Sequence, residues 1–124
     1  MPMRCPCGSG SPYDECCARY HGGERAPTAV ALMRSRYSAF AVGDTDYLLR
    51  TWHPDTRPEG LELEPGQKWL RLEVLSWTGG GVLDAEGEVE FRAHYRWSGG
   101  REELHERSAF RRVDGAWAYV EALG

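Results

Sequence analysis

The four cysteines of the chain, Cys5, Cys7, Cys16 and Cys17, all fall in its first seventeen residues, and none follows. Thiolates bind Zn²⁺ tetrahedrally, and two short ligand pairs flanking a loop can close such a site without help from the rest of the fold. The spacing is C-x-C-x8-C-C. Pro6 stiffens the first pair, and Gly8 and Gly10 permit a tight turn whose amides can point toward sulfur. Disulfides fit less well, because the adjacent Cys16 and Cys17 bridge only with strain and Cys5 with Cys7 little better, although pairings between the two clusters stay open. No positively charged, apolar leader opens the sequence, so a cytoplasmic location with reduced thiols is expected. The expectation is therefore a structural zinc held by Cys5, Cys7, Cys16 and Cys17, with His21, one helical turn past Cys17, as a substitute for Cys17.

Such a centre is not catalytic, since four protein ligands leave no position for water. Ser9, between Gly8 and Gly10, lies inside the metal loop rather than on a strand-to-helix elbow, and no G-x-S-x-G motif occurs. Neither a P-loop nor a dinucleotide fingerprint is present.

Cys5-Pro6-Cys7-Gly8-Ser9-Gly10, then Tyr13, then Cys16-Cys17 resembles the SEC-C motif, the zinc-binding module of the SecA translocase tail, and its ligand positions map onto the four cysteines. That tail is a basic docking element, whereas here Arg4, Arg19 and Arg25 are balanced by Asp14, Glu15 and Glu24. Further on, residues 32 to 40 (LMRSRYSAF), Tyr47-Leu48, residues 51 to 54 (TWHP), residues 106 to 110 (ERSAF) and residues 115 to 119 (GAWAY) resemble the YchJ family of uncharacterised bacterial proteins. This resemblance covers essentially the whole chain. It implies a SEC-C module over residues 1 to 25, followed over residues 26 to 124 by a nuclear transport factor 2-like (NTF2-like, cystatin-like) domain, a cone of curved antiparallel sheet with helices. It implies no reaction.

Length and charge agree. A chain of 124 residues holds one compact core plus a small metal element. No apolar run approaches the ~20 residues needed to span a bilayer. A net charge of −4 disfavours nucleic acid, and Lys68 is the only lysine.

The elements that must position these groups follow from pattern. Residues 22 to 27 read as a linker and Thr28 as the N-cap of a helix that buries Val30, Met33, Tyr37, Phe40 and Ala41 and ends near Gly43. Asp44 caps a second helix carrying Tyr47, Leu48 and Trp52, stopped by Pro54. Residues 55 to 66, rich in proline and glycine, read as a loop. The period then changes to two. Glu88, Glu90, Arg92, His94 and Arg96 alternate with Val89, Phe91, Ala93, Tyr95 and Trp97, the mark of a strand with one wet and one buried face. Segments 67 to 78, 101 to 113 and 116 to 121 supply further strands. Helices first and a strand meander afterwards is an α+β order. Most of Trp52, Trp69, Trp77, Trp97 and Trp117 are expected in the core.

A cone backed by helices encloses a pocket, and Leu104, Glu106, Ser108 and Phe110 share one strand face toward it. Glu106 would need a partner there, for which Arg36 is the candidate, with Tyr37 and His53 as hydrogen-bonding neighbours. His94 and His105 are expected to be exposed.

Two functional classes follow. One is a structural-zinc protein whose N-terminal module meets a protein partner. The alternative is a small-molecule binder, or an isomerase- or dehydratase-like enzyme, using the cone pocket with Glu106 as acid or base, His53 as second proton carrier, and Arg36, Tyr37 and Ser108 around them. The fold alone does not choose between them.

Overall fold

The structure, a computed structural model, describes residues 3 to 124. The chain first folds back on itself. Cys5 N–H donates to the Ser11 carbonyl (2.9 Å) and Tyr13 N–H to that of Met3 (2.8 Å), with an antiparallel bridge between Arg4 and Pro12. A turn of 3₁₀ helix at Tyr13–Glu15 leads into α1 (Cys17–His21). Two further helices follow, α2 (Ala29–Val42) and α3 (Thr45–Arg50), and then four strands: β1 (Lys68–Gly79), β2 (Glu86–Trp97), β3 (Gly100–Val113) and β4 (Ala116–Ala122). The sheet is an antiparallel meander in the order β1-β2-β3-β4. The α+β class and the order of its elements are thus as the sequence indicates.

Local chemistry explains the helix ends. Thr28 Oγ1 accepts from Ala31 N–H (3.1 Å), and Gly43 closes α2 in the left-handed region at φ 81°. Asp44 Oδ1 accepts from Tyr47 N–H (3.0 Å) at the start of α3. That helix ends at Arg50, short of Trp52, because the chain there pairs with β4. Tyr119 N–H donates to the Thr51 carbonyl (2.8 Å) and His53 N–H to that of Tyr119 (2.7 Å). Residues 55 to 66 hold turns and no helix or strand.

The sheet is bent by register shifts between Trp69 and Arg71, Val74 and Ser76, and Ala109 and Phe110. Its inner face carries Leu72, Val89, Phe91, Ala93, Phe110 and Trp117, packed against Ala29, Leu32, Met33 and Tyr37 of α2. Alternation on β2 holds at Val89, Phe91 and Ala93. It fades where the strand outruns the helices, leaving Tyr95 half-buried and Trp97 exposed. Trp77 is exposed too and of the five only Trp117 is buried, so the tryptophans contribute less to the core than their number suggests. Ala41 is exposed and Val30 only partly buried.

Instead α2 buries two faces. Ser35 and Ser38, both fully buried, lie away from Met33 and Tyr37 and meet the cysteine segment and α3. The N-terminal module therefore packs on the helix. The segment from 22 to 27 is anchored at its two ends. Ala29 N–H donates to the Gly80 carbonyl (2.9 Å), Trp117 Nε1–H to that of Pro27 (3.3 Å), and Arg50 Nη2 to that of His21 (2.7 Å).

Candidate metal centre

The hairpin brings Cys5 and Cys7 up against the start of α1, which carries Cys16 at its N-cap and Cys17 as its first residue. All four Sγ atoms lie within 4.8 Å of one another, and none is in a disulfide. With Zn–S bonds of about 2.3 Å, the edge of a tetrahedron of sulfurs is about 3.8 Å. The Cys7 and Cys16 sulfurs stand 3.7 Å apart, which fits that edge. Cys5, Cys7 and Cys17 are buried, and Cys16 is the ligand position nearest solvent. This closed, sulfur-only donor set suits a borderline-soft ion such as Zn²⁺ and leaves no place for a substrate.

The surroundings favour thiolate. Ser38 Oγ on α2 lies 3.5 Å from Cys5 Sγ, and Ser9 Oγ lies 3.2 Å from Cys16 Sγ while accepting from Ser11 N–H (3.3 Å). Gly8 (φ 83°) and Gly10 (φ 87°) give the loop its left-handed steps. Arg34 Nη1 donates to the Cys7 carbonyl (3.1 Å), placing a positive charge beside a centre that four thiolates around one divalent ion would make doubly negative. Without metal, the neighbouring Cys17 thiol and Ser9 draw the Cys7 thiol below its usual range, against burial. The neighbouring Cys7 and burial push Cys17 up.

His21 lies elsewhere. Its Nε2–H donates to the Ser35 carbonyl (2.8 Å), which fixes the tautomer, and its Nδ1 meets the Tyr13 hydroxyl (2.5 Å). Both ring nitrogens are engaged, and the ring packs on Tyr47 at 4.5 Å between centroids. The four sulfurs within 4.8 Å of one another include Cys17, favoured over His21 from the sequence, and the His21 ring instead ties α1 to α2.

The expected pocket residues separate into two groups. A cavity of about 280 Å³ between α2, the segment after α3 and the inner face of the sheet is lined by Arg36, Tyr37, Trp52, Glu106, Ser108 and Tyr119 with an apolar remainder. Glu106 sits opposite Phe91 in the ladder, and Ser108 Oγ–H donates to its Oε2 (2.5 Å). Burial pushes Tyr37 up to about 12; burial and then Glu106 do the same to Tyr119. The ion pair expected between Arg36 and Glu106 does not form. Arg36 Nη1 instead donates to the Leu48 carbonyl and to Thr51 Oγ1, both at 2.7 Å, where the end of α3 leaves carbonyls without helical partners. Its guanidinium lies 4.7 Å from the Tyr119 ring centre and 5.2 Å from that of Trp52.

His53 is not among the residues that line this cavity. Its backbone is tied to Tyr119, and its Nδ1 accepts from Asp55 N–H (3.1 Å), so His53 and Glu106 do not form the expected pair of proton carriers. On the outer face His105 is exposed as expected, its Nε2 2.7 Å from Glu90, whereas His94 is half-buried between Glu73 and Glu103. Sequence reasoning misses Ser38 and Arg34 beside the sulfurs, and Trp52 and Tyr119 beneath Arg36. The one signal for the first pair is Ser35 and Ser38 at i, i+3, a small polar stripe that lets another segment approach closely.

Comparisons with known proteins agree with this architecture. The family profile described as "YchJ, middle NTF2-like domain" matches residues 28–122. A UPF0225 protein of Streptomyces coelicolor is 58% identical over 118 residues, 94% of this chain and 92% of its own. One from Corynebacterium glutamicum is 55% identical over 122 residues, 96% of this chain and 95% of its own. Among solved structures, a SEC-C motif containing protein from Rhodopseudomonas palustris is similar with a TM-score of 0.83 at 37% identity, covering 97% of each chain. Another from Psychrobacter arcticus has a TM-score of 0.78 at 27% identity, covering 94% of this chain and 80% of that one. The matched profile, these relatives and the clustered cysteines carry one conclusion: the chain belongs to the YchJ family of UPF0225 proteins and has a SEC-C type cysteine module in front of an NTF2-like domain.

Proposed function

We propose that the protein is a cytoplasmic structural-zinc protein in which Cys5, Cys7, Cys16 and Cys17 bind one Zn²⁺ and fix residues 1 to 25 as a rigid platform, on a body of residues 26 to 124, for a protein partner. The observation that carries the metal reading is the convergence of four free sulfurs on one point, within 4.8 Å of each other, with three of the cysteines buried. Structural zinc sites contribute roughly 10–16 kcal/mol of apparent binding free energy, as large as the whole stability of a typical domain. The few apolar contacts within residues 3 to 21 are small beside that, so metal is what orders the module.

The partner reading rests on the closed coordination and on the anchoring of the module. No ligand position is free for a substrate, and Ser38, Arg34 and the Ser35 carbonyl hold the module in one orientation. The hairpin's Met3 and the turn from Gly8 to Gly10 remain exposed for contact. The test is native mass spectrometry of reduced wild type and Cys16→Ser, followed by crosslinking of both to co-purifying protein. One zinc in wild type, none in the variant, and a crosslinked partner lost with the metal support the reading. A metal-free wild type, or a partner retained equally by the variant, contradicts it.

A further inference from the structure

The cavity beneath α2 is remote in character from the cysteine centre, and one group in it has no counterpart in the fold. Arg36 is only 4% exposed, yet among the described residues it forms no salt bridge with any carboxylate. A buried charge ordinarily has a counter-ion. Its Nη1 makes both of the guanidinium's hydrogen bonds, to Leu48 and Thr51, so that Nε and Nη2 have no protein acceptor among the described residues. These two nitrogens are not sealed off either: Trp52 Nε1 is the one enclosed polar side-chain atom without a partner there. The Trp52 and Tyr119 rings hold the guanidinium plane in place, and burial lowers Arg36 only to about 10, so it stays charged near neutrality.

The rest of the cavity defines what would fill it. Phe40, Trp69, Phe91 and Leu104 give an apolar wall, with Glu106, held by Ser108, as the acceptor on β3. At about 280 Å³ the space is at the lower edge of ligand pockets, room for roughly a dozen non-hydrogen atoms at interior packing density. We infer that the cavity binds a small organic carboxylate with an apolar body, its carboxylate on the Nε and Nη2 edge of Arg36 and a hydroxyl or ammonium group toward Glu106. An Arg fork matches a carboxylate with two parallel hydrogen bonds, and a donor on the ligand turns Glu106 from a repelling charge into an acceptor. This reading is independent of the metal and requires no reaction.

The probes are 3-phenyllactate, 3-phenylpropionate and 2-phenylethanol, titrated into zinc-loaded full-length protein by calorimetry and by saturation-transfer NMR. The expected order is 3-phenyllactate tightest, 3-phenylpropionate several-fold weaker, and 2-phenylethanol at least tenfold weaker than the first. Arg36→Gln should lose at least tenfold in affinity for both carboxylates and erase their advantage over the alcohol. Should that variant not fold, Ala93→Leu, which adds bulk to the sheet wall of the same cavity and leaves Arg36 in place, locates the site: it should remove binding while zinc content is retained. The inference is overturned if neither carboxylate binds at millimolar concentration, if the alcohol binds as well as the acids, or if Ala93→Leu leaves binding unchanged.

Discussion

The Sγ of Cys5 lies 3.5 Å from the Oγ of Ser38, thirty-three residues further along the chain and on the buried face of α2. This contact joins the cysteine centre to the helix that also backs the sheet, so the module and the body share one element. A hydroxyl donor to a thiolate delocalises charge that four sulfurs would otherwise concentrate.

Ser38→Ala removes that donor without adding bulk. Loss of such an outer hydrogen bond typically costs 10–100-fold in metal affinity. Competition with a chromophoric chelator should show zinc held at least about tenfold more weakly than in wild type, with unchanged stoichiometry. Equal affinity would mean that the Ser38 hydroxyl does not serve the sulfur.

His21→Ala separates a ligand from a strut. The variant should keep one zinc per chain, because the four sulfurs do not include this ring. Its stability should nevertheless fall by about 1–3 kcal/mol, since the buried Ser35 carbonyl and the Tyr13 hydroxyl lose their partner. Zinc analysis and thermal melting check both halves; a metal-free His21→Ala protein would put the histidine back in the ligand set.

Alkaline pH tests the burial of Tyr37. In the unfolded chain its hydroxyl titrates near 10.0, and in the fold near 12 because burial penalises the phenolate. Between these values the unfolded chain gives up the proton and the native state keeps it, so stability falls as pH rises from 10 and levels off near 12. Tyr37→Phe should flatten that fall by up to about 2–3 kcal/mol, from about 1.4 kcal/mol for each pKa unit. Denaturant midpoints of both proteins from pH 9 to 12 supply the comparison, and parallel curves would argue against a desolvated Tyr37.

Gly87→Ala probes the hairpin between β1 and β2. A Cβ there would meet the Cα and N of Gly80 at 2.5 and 2.6 Å, backbone atoms with nowhere to go. The expected loss is about 3 kcal/mol or more, read as a lowered melting temperature, because overpacking against backbone forces the strands apart. A melting temperature within a degree or two of wild type would show that the turn relaxes freely.

Much of this fold is legible in the residue pattern alone. The strand ends fall within two residues of where alternation and the glycine turns put them, because a half-buried meander writes its period directly into the sequence. The cysteine cluster is legible for the same reason that it is specific: thiolates at such spacing have few other uses. What escapes depends on contacts between distant residues. Nothing local to Ser38 says that Cys5 will meet it, and nothing in Arg36 announces that α3 will end against its Nη1 and draw it from Glu106. The apolar spacing of Tyr47 and Leu48 continues to Trp52 and reads as helix, yet pairing with Tyr119 takes precedence there and carries His53 away from the cavity.

Whether a four-sulfur zinc centre orders the N-terminal module is decided by metal content and thiol accessibility on reduced, freshly purified protein. The expected result is one zinc per chain, four thiols unreactive until chelator is added, and hydrogen-exchange protection over residues 3 to 21 that is lost on chelation while the sheet keeps its own. A chain without metal whose module stays equally protected would contradict it.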